Sequence, residues 1–134
     1  MFESVFVNLP IENLKRSVDF FTQLGFTFNA AFTDESSTCM IVSPTINVML
    51  VEKAKFANFI PKPIADAATT EAILAFACKD AAQIRSVTEK ALALGARKVN
   101  EFEDHGFMIS WGFEDLDGHL WDLFWMNPEA ELPH

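Results

Sequence analysis

The sequence predicts an α+β protein made of two copies of a βαβββ module. The first observation is a repeat, because a helical segment closed by glycine occurs twice, with Gly25 and Gly95 separated by 70 positions. The second is one strand-like segment before each helix and three after it. The third is size: 134 residues, 50% of them hydrophobic, suit one compact domain or two small halves that share a core.

We expect the first module to occupy about residues 1–55, within a single domain spanning residues 1–134. Residues 5–9 alternate in the manner of a half-buried strand. A helix capped by Asn13 and ended by Gly25 follows. Three further strands complete this module, at residues 26–32, 38–43 and 47–52.

A linker at residues 56–71 is expected to join this module to a second one at about residues 72–134. The second module repeats the order, with a strand at residues 72–78, a helix capped by Asp80, and Gly95 closing that helix. Its three later strands are expected near residues 97–101, 107–113 and Leu120–Met126.

The last predicted strand contains an acidic residue between apolar neighbours. Asp117-Gly118 before it predicts a type I′ hairpin turn. Alternation places Asp122 on the same face as Leu120 and Phe124, and the Trp121 side chain on the other face. Burying a carboxylate without a partner is costly, so Asp122 marks either the exposed face of an edge strand or the floor of a functional pocket. The rest of the chain favours the pocket.

The same alternation predicts which other side chains share the pocket. If Val5, Val7 and Leu9 pack against the helix, then Phe6 and Asn8 face the other way. The inward residues of the other strands are then Asn47, Met49 and Ile73. These positions define an apolar cavity with a few polar points, which is typical of a site for a small organic molecule.

Two further residues are candidates at this cavity. His105 lies in a glycine-containing turn, where it is either solvated or placed at the rim as a general acid or base. Trp111 lies on a strand of uncertain register and belongs either to the core or to the cavity. We interpret His119 as structural and His134 as part of an unstructured terminus.

The charge and the cysteine content limit the kinds of binding partner and the cellular compartment that we expect. With 19 acidic and 10 basic residues the net charge is −9, which disfavours nucleic acid as a partner. No apolar run is long enough to cross a membrane, and no signal peptide is apparent. Cys39 and Cys78 lie in apolar runs, which favours two buried reduced thiols over a disulfide, so a cytoplasmic protein is predicted.

Two segments resemble the vicinal oxygen chelate superfamily, which contains glyoxalase I, bleomycin-resistance proteins and extradiol dioxygenases. IENLKRSVDFFTQLGF is similar to the family's first-helix signature, and FEDLDGHLWDLFW is similar to its final hairpin. The resemblance implies that the two modules form a cupped mixed sheet with the helices on its outer face. It also implies a homodimer.

Function within this family depends on the residues at its metal-ligand positions. The resemblance places Phe6 where the family has His or Gln, and Ile73 where it has its other His. It places Met49 at one Glu position and Asp122 at the final Glu position. No cofactor is therefore predicted, and a divalent metal, if one is bound, would use Asp122. We expect a glyoxalase-like or bleomycin-resistance-like protein that binds a small organic ligand. The alternative is a metal-dependent lyase or dioxygenase, similar to lactoylglutathione lyase.

Overall fold

The computed structural model describes residues 1–129 and consists of two units, Met1–Asp66 and a second that begins at Ala67. Each unit contains one long helix and its own mixed β-sheet. The predicted α+β class and the two βαβββ modules are confirmed.

In the first unit, a four-stranded sheet has the order β1-β4-β3-β2. The β1 and β4 strands are parallel, whereas β4 with β3 and β3 with β2 are antiparallel. The elements are β1 (Val5–Ile11), α1 (Leu14–Gln23), β2 (Thr27–Asn29), β3 (Ser37–Ile41), β4 (Ile46–Glu52) and the short helix α2 (Lys53–Phe56).

Helix α1 covers one face of this sheet. Its N-terminus is capped as predicted, since Asn13 Oδ1 accepts a hydrogen bond from Arg16 N at 2.9 Å. Phe20 and Phe21 of the helix are buried, and on the sheet Val48 and Leu50 are fully buried. Odd-numbered residues of β1 share the face of Val48, because Val7 is its register partner. Phe6 and Asn8 therefore lie on the opposite, open face.

Two predictions about this unit were wrong in extent. Strand β2 ends at Asn29 because its side-chain oxygen accepts a hydrogen bond from Ala31 N at 3.0 Å and caps a 3₁₀ turn, Ala30–Phe32. The expected linker begins within helical structure, since α2 runs directly into a second 3₁₀ turn, Ala57–Phe59.

In the second unit, the sheet order is β5-β9-β8-β6, and β7 also pairs with β8. The β5 and β9 strands are parallel and all other pairs are antiparallel. The elements are β5 (Ile73–Ala77), α3 (Ala81–Ala93), β6 (Arg97–Lys98), β7 (Glu103–Asp104), β8 (Met108–Glu114) and β9 (Leu120–Met126). The strand expected at residues 97–101 is thus replaced by two short strands.

Helix α3 covers one face of this sheet. Asp80 caps it as predicted, because its Oδ1 accepts a hydrogen bond from Gln83 N at 2.8 Å. Ile84 of the helix is fully buried. On the sheet, the Phe113 and Trp121 rings are stacked, with centroids 6.2 Å apart and planes 6° from parallel. Phe113 and Trp121 are therefore central to the core of this unit.

The turn between β8 and β9 differs from the predicted type I′. Gly118 has φ +86°, but no residue other than glycine has a positive φ within residues 1–129, so Asp117 cannot adopt the type I′ conformation. Gly118 N donates to Asp115 O at 3.1 Å, and Asp115 N donates to His119 O at 2.9 Å. This pattern is a three-residue loop with glycine in the left-handed region, and it preserves the predicted hairpin.

Within residues 1–129, none of the helices combines the length and the apolar character needed to cross a lipid bilayer.

Candidate functional site

Asp122 lies in the middle of the open face of the second unit's sheet. Its register partners are Ala75 on β5 and Gly112 on β8. The predicted division of β9 into two faces is confirmed, because Trp121 and Leu123 are buried whereas Asp122 and its face neighbours are only half-buried. Asp122 is therefore flanked across the sheet by the two smallest residue types.

Gly112 leaves space beside Asp122 for a steric reason. A Cβ atom added at Gly112 would lie 2.0 Å from the carbonyl oxygen of Trp121 and 3.1 Å from Cα of Asp122. Both are backbone atoms, so no side chain can be accommodated without moving β8 away from β9. The close approach of the two strands thus fixes glycine here and keeps the surface next to the carboxylate open.

A pocket of about 160 Å³ occupies this space. Residues Ile73, Gly112, Leu120 and Asp122 come from the sheet, and Val99 and Asn100 come from the connection between β6 and β7. Ile73 and Val99 are 63% and 52% exposed, so the rim is apolar and open to solvent. The pocket has the composition typical of small-molecule sites, in which few polar groups lie among apolar walls.

The Asp122 carboxylate has no hydrogen-bond partner within residues 1–129. Burial raises the pKa of this carboxyl above its ordinary value, and the nearby negative charge of Glu103 raises it further. A half-buried acid in this state favours a ligand group that donates hydrogen bonds or carries positive charge.

His105 lies close to this face through Glu103. Its Nε2 atom is 2.9 Å from Glu103 Oε2, and both side chains are nearly half exposed. Glu103 pairs in register with Ser110, which shares the face of Asp122. Glu103 therefore lies between the other two groups in this network: its charge acts on Asp122, and its carboxylate contacts the His105 imidazole. His105 does not contact Asp122 itself.

Four of the predicted pocket residues lie on the open face of the first unit's sheet. Phe6 pairs with Asn47, and Asn8 pairs with Met49. Both amides bind backbone atoms of this unit: Asn8 Nδ2 donates to Phe6 O at 3.1 Å, and Asn47 Nδ2 donates to Val5 O at 3.5 Å. These side chains support β1 in addition to lining the surface.

The remaining predictions fall in the second unit. Ile73 and Phe124 share the face of Asp122, although only Ile73 lines the pocket. Trp111 does not share this face: it pairs with Leu123, is 8% exposed, and its Nε1 donates to Asn100 O at 3.0 Å. Trp111 directly precedes Gly112, so strand alternation places its side chain on the opposite, helix-covered face, outside the predicted pocket.

His119 has the structural role expected for it. It is 4% exposed, and its Nδ1 lies 2.5 Å from Glu71 Oε1. The backbone N–H of His119 donates to Asp115 Oδ1 at 3.0 Å, and Trp121 Nε1 donates to Asp115 Oδ2 at 2.8 Å. Asp115 therefore organises the hairpin from within the core. His134 lies outside the described residues.

The residues at the superfamily's metal-ligand positions do not fit a metal site of that type. Phe6 and Ile73 have no donor atom, and the Met49 thioether suits only soft ions. Asp122 supplies the only hard oxygen ligand among these four positions. Within residues 1–129, no three His, Cys, Asp or Glu side chains are grouped closely enough to hold a metal ion.

Comparison with known families supports the resemblance seen in the sequence. Residues 3–43 match the family model described as bleomycin resistance protein-like N-terminal. The match includes β1, α1, β2 and β3. A comparison with curated proteins gives no significant match.

Solved structures similar to this chain share its fold at low sequence identity. A hypothetical protein, SA1046 from S. aureus, is 22% identical with a TM-score of 0.79, covering 92% of this chain and 94% of its own. A glyoxalase-related enzyme from Fulvimarina pelagi is 14% identical with a TM-score of 0.80, covering 99% and 94%. The fosfomycin resistance protein FosX from Listeria monocytogenes is 18% identical with a TM-score of 0.71, covering 98% and 99%. The chain therefore shares the fold of these proteins, as the resemblance in the sequence predicts.

Sequence reasoning missed several residues of this site, among them Gly112, Glu103 and Asn100. Gly112 is an isolated glycine inside an apolar strand, and that pattern is a known sign of close backbone approach. Glu103 reads as part of a solvated turn, because the two-residue strand β7 has no sequence signal of its own. Asn100 belongs to a connection without periodicity, so nothing in the sequence distinguishes it.

Proposed function

We propose that this protein binds a small organic molecule in the pocket of the second unit, with Asp122 as its central polar contact. The observation that carries the proposal is the half-buried, unpartnered Asp122 carboxylate at a pocket with an apolar rim. A protein that needed this position only for its fold would do better with an apolar or a paired residue. The comparisons support the proposal at the level of the fold, which hosts several activities.

Asp122→Asn is expected to keep or raise the thermal midpoint while weakening ligand binding. Removing the charge relieves desolvation and the repulsion from Glu103, which we expect to raise the midpoint by up to about 3 °C. Losing a charge-assisted contact should weaken binding by about 1–3 kcal/mol. Differential scanning calorimetry with and without a ligand found by fragment screening measures both effects. Easier unfolding with unchanged binding would instead make Asp122 a structural residue.

The stability gain should depend on pH in a defined direction. Because the pKa of Asp122 is raised in the folded state, the wild type loses stability as pH rises from 3.8 through the folded value. The amide introduced by Asp122→Asn cannot titrate, so the variant's advantage should appear over that window and stay constant above it. Asp104→Asn is the matched control, since it removes the same charge from exposed strand β7.

The second candidate function is a metal-dependent lyase or dioxygenase with an unusual ligand set. The observation favouring it is that Asp122 stands at the family's final ligand position, with the Glu103–His105 pair nearby. Given Phe6 and Ile73, we expect protein purified without an affinity tag to carry well under one equivalent of Zn, Ni, Mn or Fe by elemental analysis. Stoichiometric metal that is lost in Asp122→Ala would establish the enzyme instead.

Assembly and compartment stay predictions. We propose a homodimer, as the resemblance implies, and the exposed apolar residues Val5 and Phe6 on edge strand β1 support an apolar contact. Cys39 and Cys78 are both free thiols, which supports the proposed cytoplasmic location.

A further inference from the structure

We infer that the pocket beside Asp122 recognises a primary ammonium group carried on an apolar body about the size of a benzene ring, with Asn100 as the second polar contact. This inference rests on the proposed function and names the ligand class for the same pocket. Three observations support it: the negative charge of the pocket lining, the volume of the pocket, and the buried Asn100 Oδ1 atom that has no hydrogen-bond partner among residues 1–129.

The charge of the lining excludes anions and favours cations. Among the described residues that line the pocket, Asp122 is the only charged one. The next charge that acts on it is Glu103, which is also negative. An anionic ligand would face two carboxylates without a counterion, whereas an ammonium would neutralise the one that has no partner.

The volume and the walls can accommodate an apolar group of ring size. A cavity of about 150 Å³ lined by apolar side chains holds benzene, and this pocket measures about 160 Å³. Ile73, Leu120 and Val99 give the ring apolar contacts. The absence of a side chain at Gly112 lets the ligand approach the carboxylate along the sheet surface.

Asn100 adds a hydrogen-bonding group whose backbone is fixed. Its Oδ1 atom is buried and has no hydrogen-bond partner within residues 1–129. Its backbone carbonyl accepts a hydrogen bond from Trp111 Nε1 at 3.0 Å. Trp111 also packs edge-on against Phe102, which lies two residues after Asn100 in the chain. Asn100 also lines the pocket, which places its amide beside a ligand bound there. A primary ammonium has three donors, enough for Asp122 and Asn100 together.

Four probes that share a benzyl group test the ligand class: benzylamine, benzyl alcohol, phenylacetate and N,N,N-trimethylbenzylammonium. Calorimetry and the backbone amide shifts of Gly112 and Asp122 report binding in the pocket. We expect benzylamine to bind at least about tenfold more tightly than benzyl alcohol, and phenylacetate not to bind. The trimethyl compound, which keeps the charge but has no N–H donors, should bind more weakly than benzylamine.

Variants test the assigned contacts. Asp122→Asn should abolish the preference for benzylamine over benzyl alcohol, and Asn100→Ala should weaken benzylamine binding by about threefold to tenfold. Asn58→Ala, an exposed position in the first unit, is the control and should change nothing. Retained benzylamine affinity in Asn100→Ala would overturn the role of Asn100.

The outcomes separate this inference from the proposed function. If benzyl alcohol shifts the Gly112 and Asp122 amides as strongly as benzylamine does, the ammonium class is wrong, and the small-molecule pocket stands. If neither these probes nor a fragment library of mixed charge shifts those amides, the proposed function fails together with the inference.

Discussion

Asp115→Ala is expected to lower the free energy of unfolding by about 3–5 kcal/mol. Asp115 is 5% exposed, and its carboxylate accepts hydrogen bonds from Asp117 N, His119 N and Trp121 Nε1 at 2.8–3.0 Å. Alanine leaves all three donors without this acceptor, and the indole of Trp121 is in the core. Urea unfolding followed by circular dichroism measures the loss, and tryptophan fluorescence reports the change around Trp121.

Asp104→Ala provides a matched comparison for this prediction. Asp104 is exposed, and its side chain accepts one hydrogen bond, from Gly106 N at 2.9 Å. Its removal should cost less than about 1 kcal/mol, because water can replace an exposed acceptor. Equal losses in the two variants would contradict the view that Asp115 organises the hairpin from within the core.

Gly112→Ala is expected to destabilise the protein by about 3 kcal/mol or more. The new methyl group would overlap the carbonyl oxygen of Trp121, and neither strand can yield without breaking the β8–β9 ladder. Chemical denaturation gives the size of the effect. Amide shifts of Asp122 should change in any folded fraction, because the same displacement alters the pocket.

Gly106→Ala separates this clash from the general cost of replacing glycine. Gly106 has φ +80° and no heavy atom within 4 Å of an added Cβ. Alanine there should cost only about 1–2 kcal/mol of backbone strain. A loss at Gly112 no larger than that at Gly106 would show that the strands can separate at little cost.

Most of the fold follows from local signals in the sequence. Asn13 and Asp80 cap the two long helices because an Asn or Asp oxygen can accept from the backbone two or three residues on, a pattern that needs no tertiary information. The faces of β9 follow from alternation. The turn type at Asp117 was wrong, because the buried Asp115 carboxylate holds the backbone there in another conformation. That acceptor is a tertiary feature, and the Asp-Gly pair does not encode it.

The candidate site was only partly predictable. Asp122 could be predicted as a site residue because it lies between apolar residues on a strand. Burying an unpaired carboxylate there costs free energy, and this conflict can be seen in the sequence alone. The face of the sheet on which the Trp111 side chain lies depends on the register of β8. A shift of one residue in that register would move the side chain to the other face. Asn100 reaches the pocket through an irregular connection, whose course is set by the contacts of Phe102 and Trp111 rather than by periodicity.

The strand order has a consequence for synthesis on the ribosome. In each unit the strand made last lies between two strands made earlier: β4 between β1 and β3, and β9 between β5 and β8. Until the last strand emerges, the earlier strands expose unpaired edges on both sides of a gap, and such edges promote aggregation. The first unit can close this gap once Glu52 has emerged, whereas the second waits for Met126. A nascent chain paused after β8 has emerged but before Met126 would present a half-built sheet that contains Phe76, Trp111 and Phe113 to chaperones.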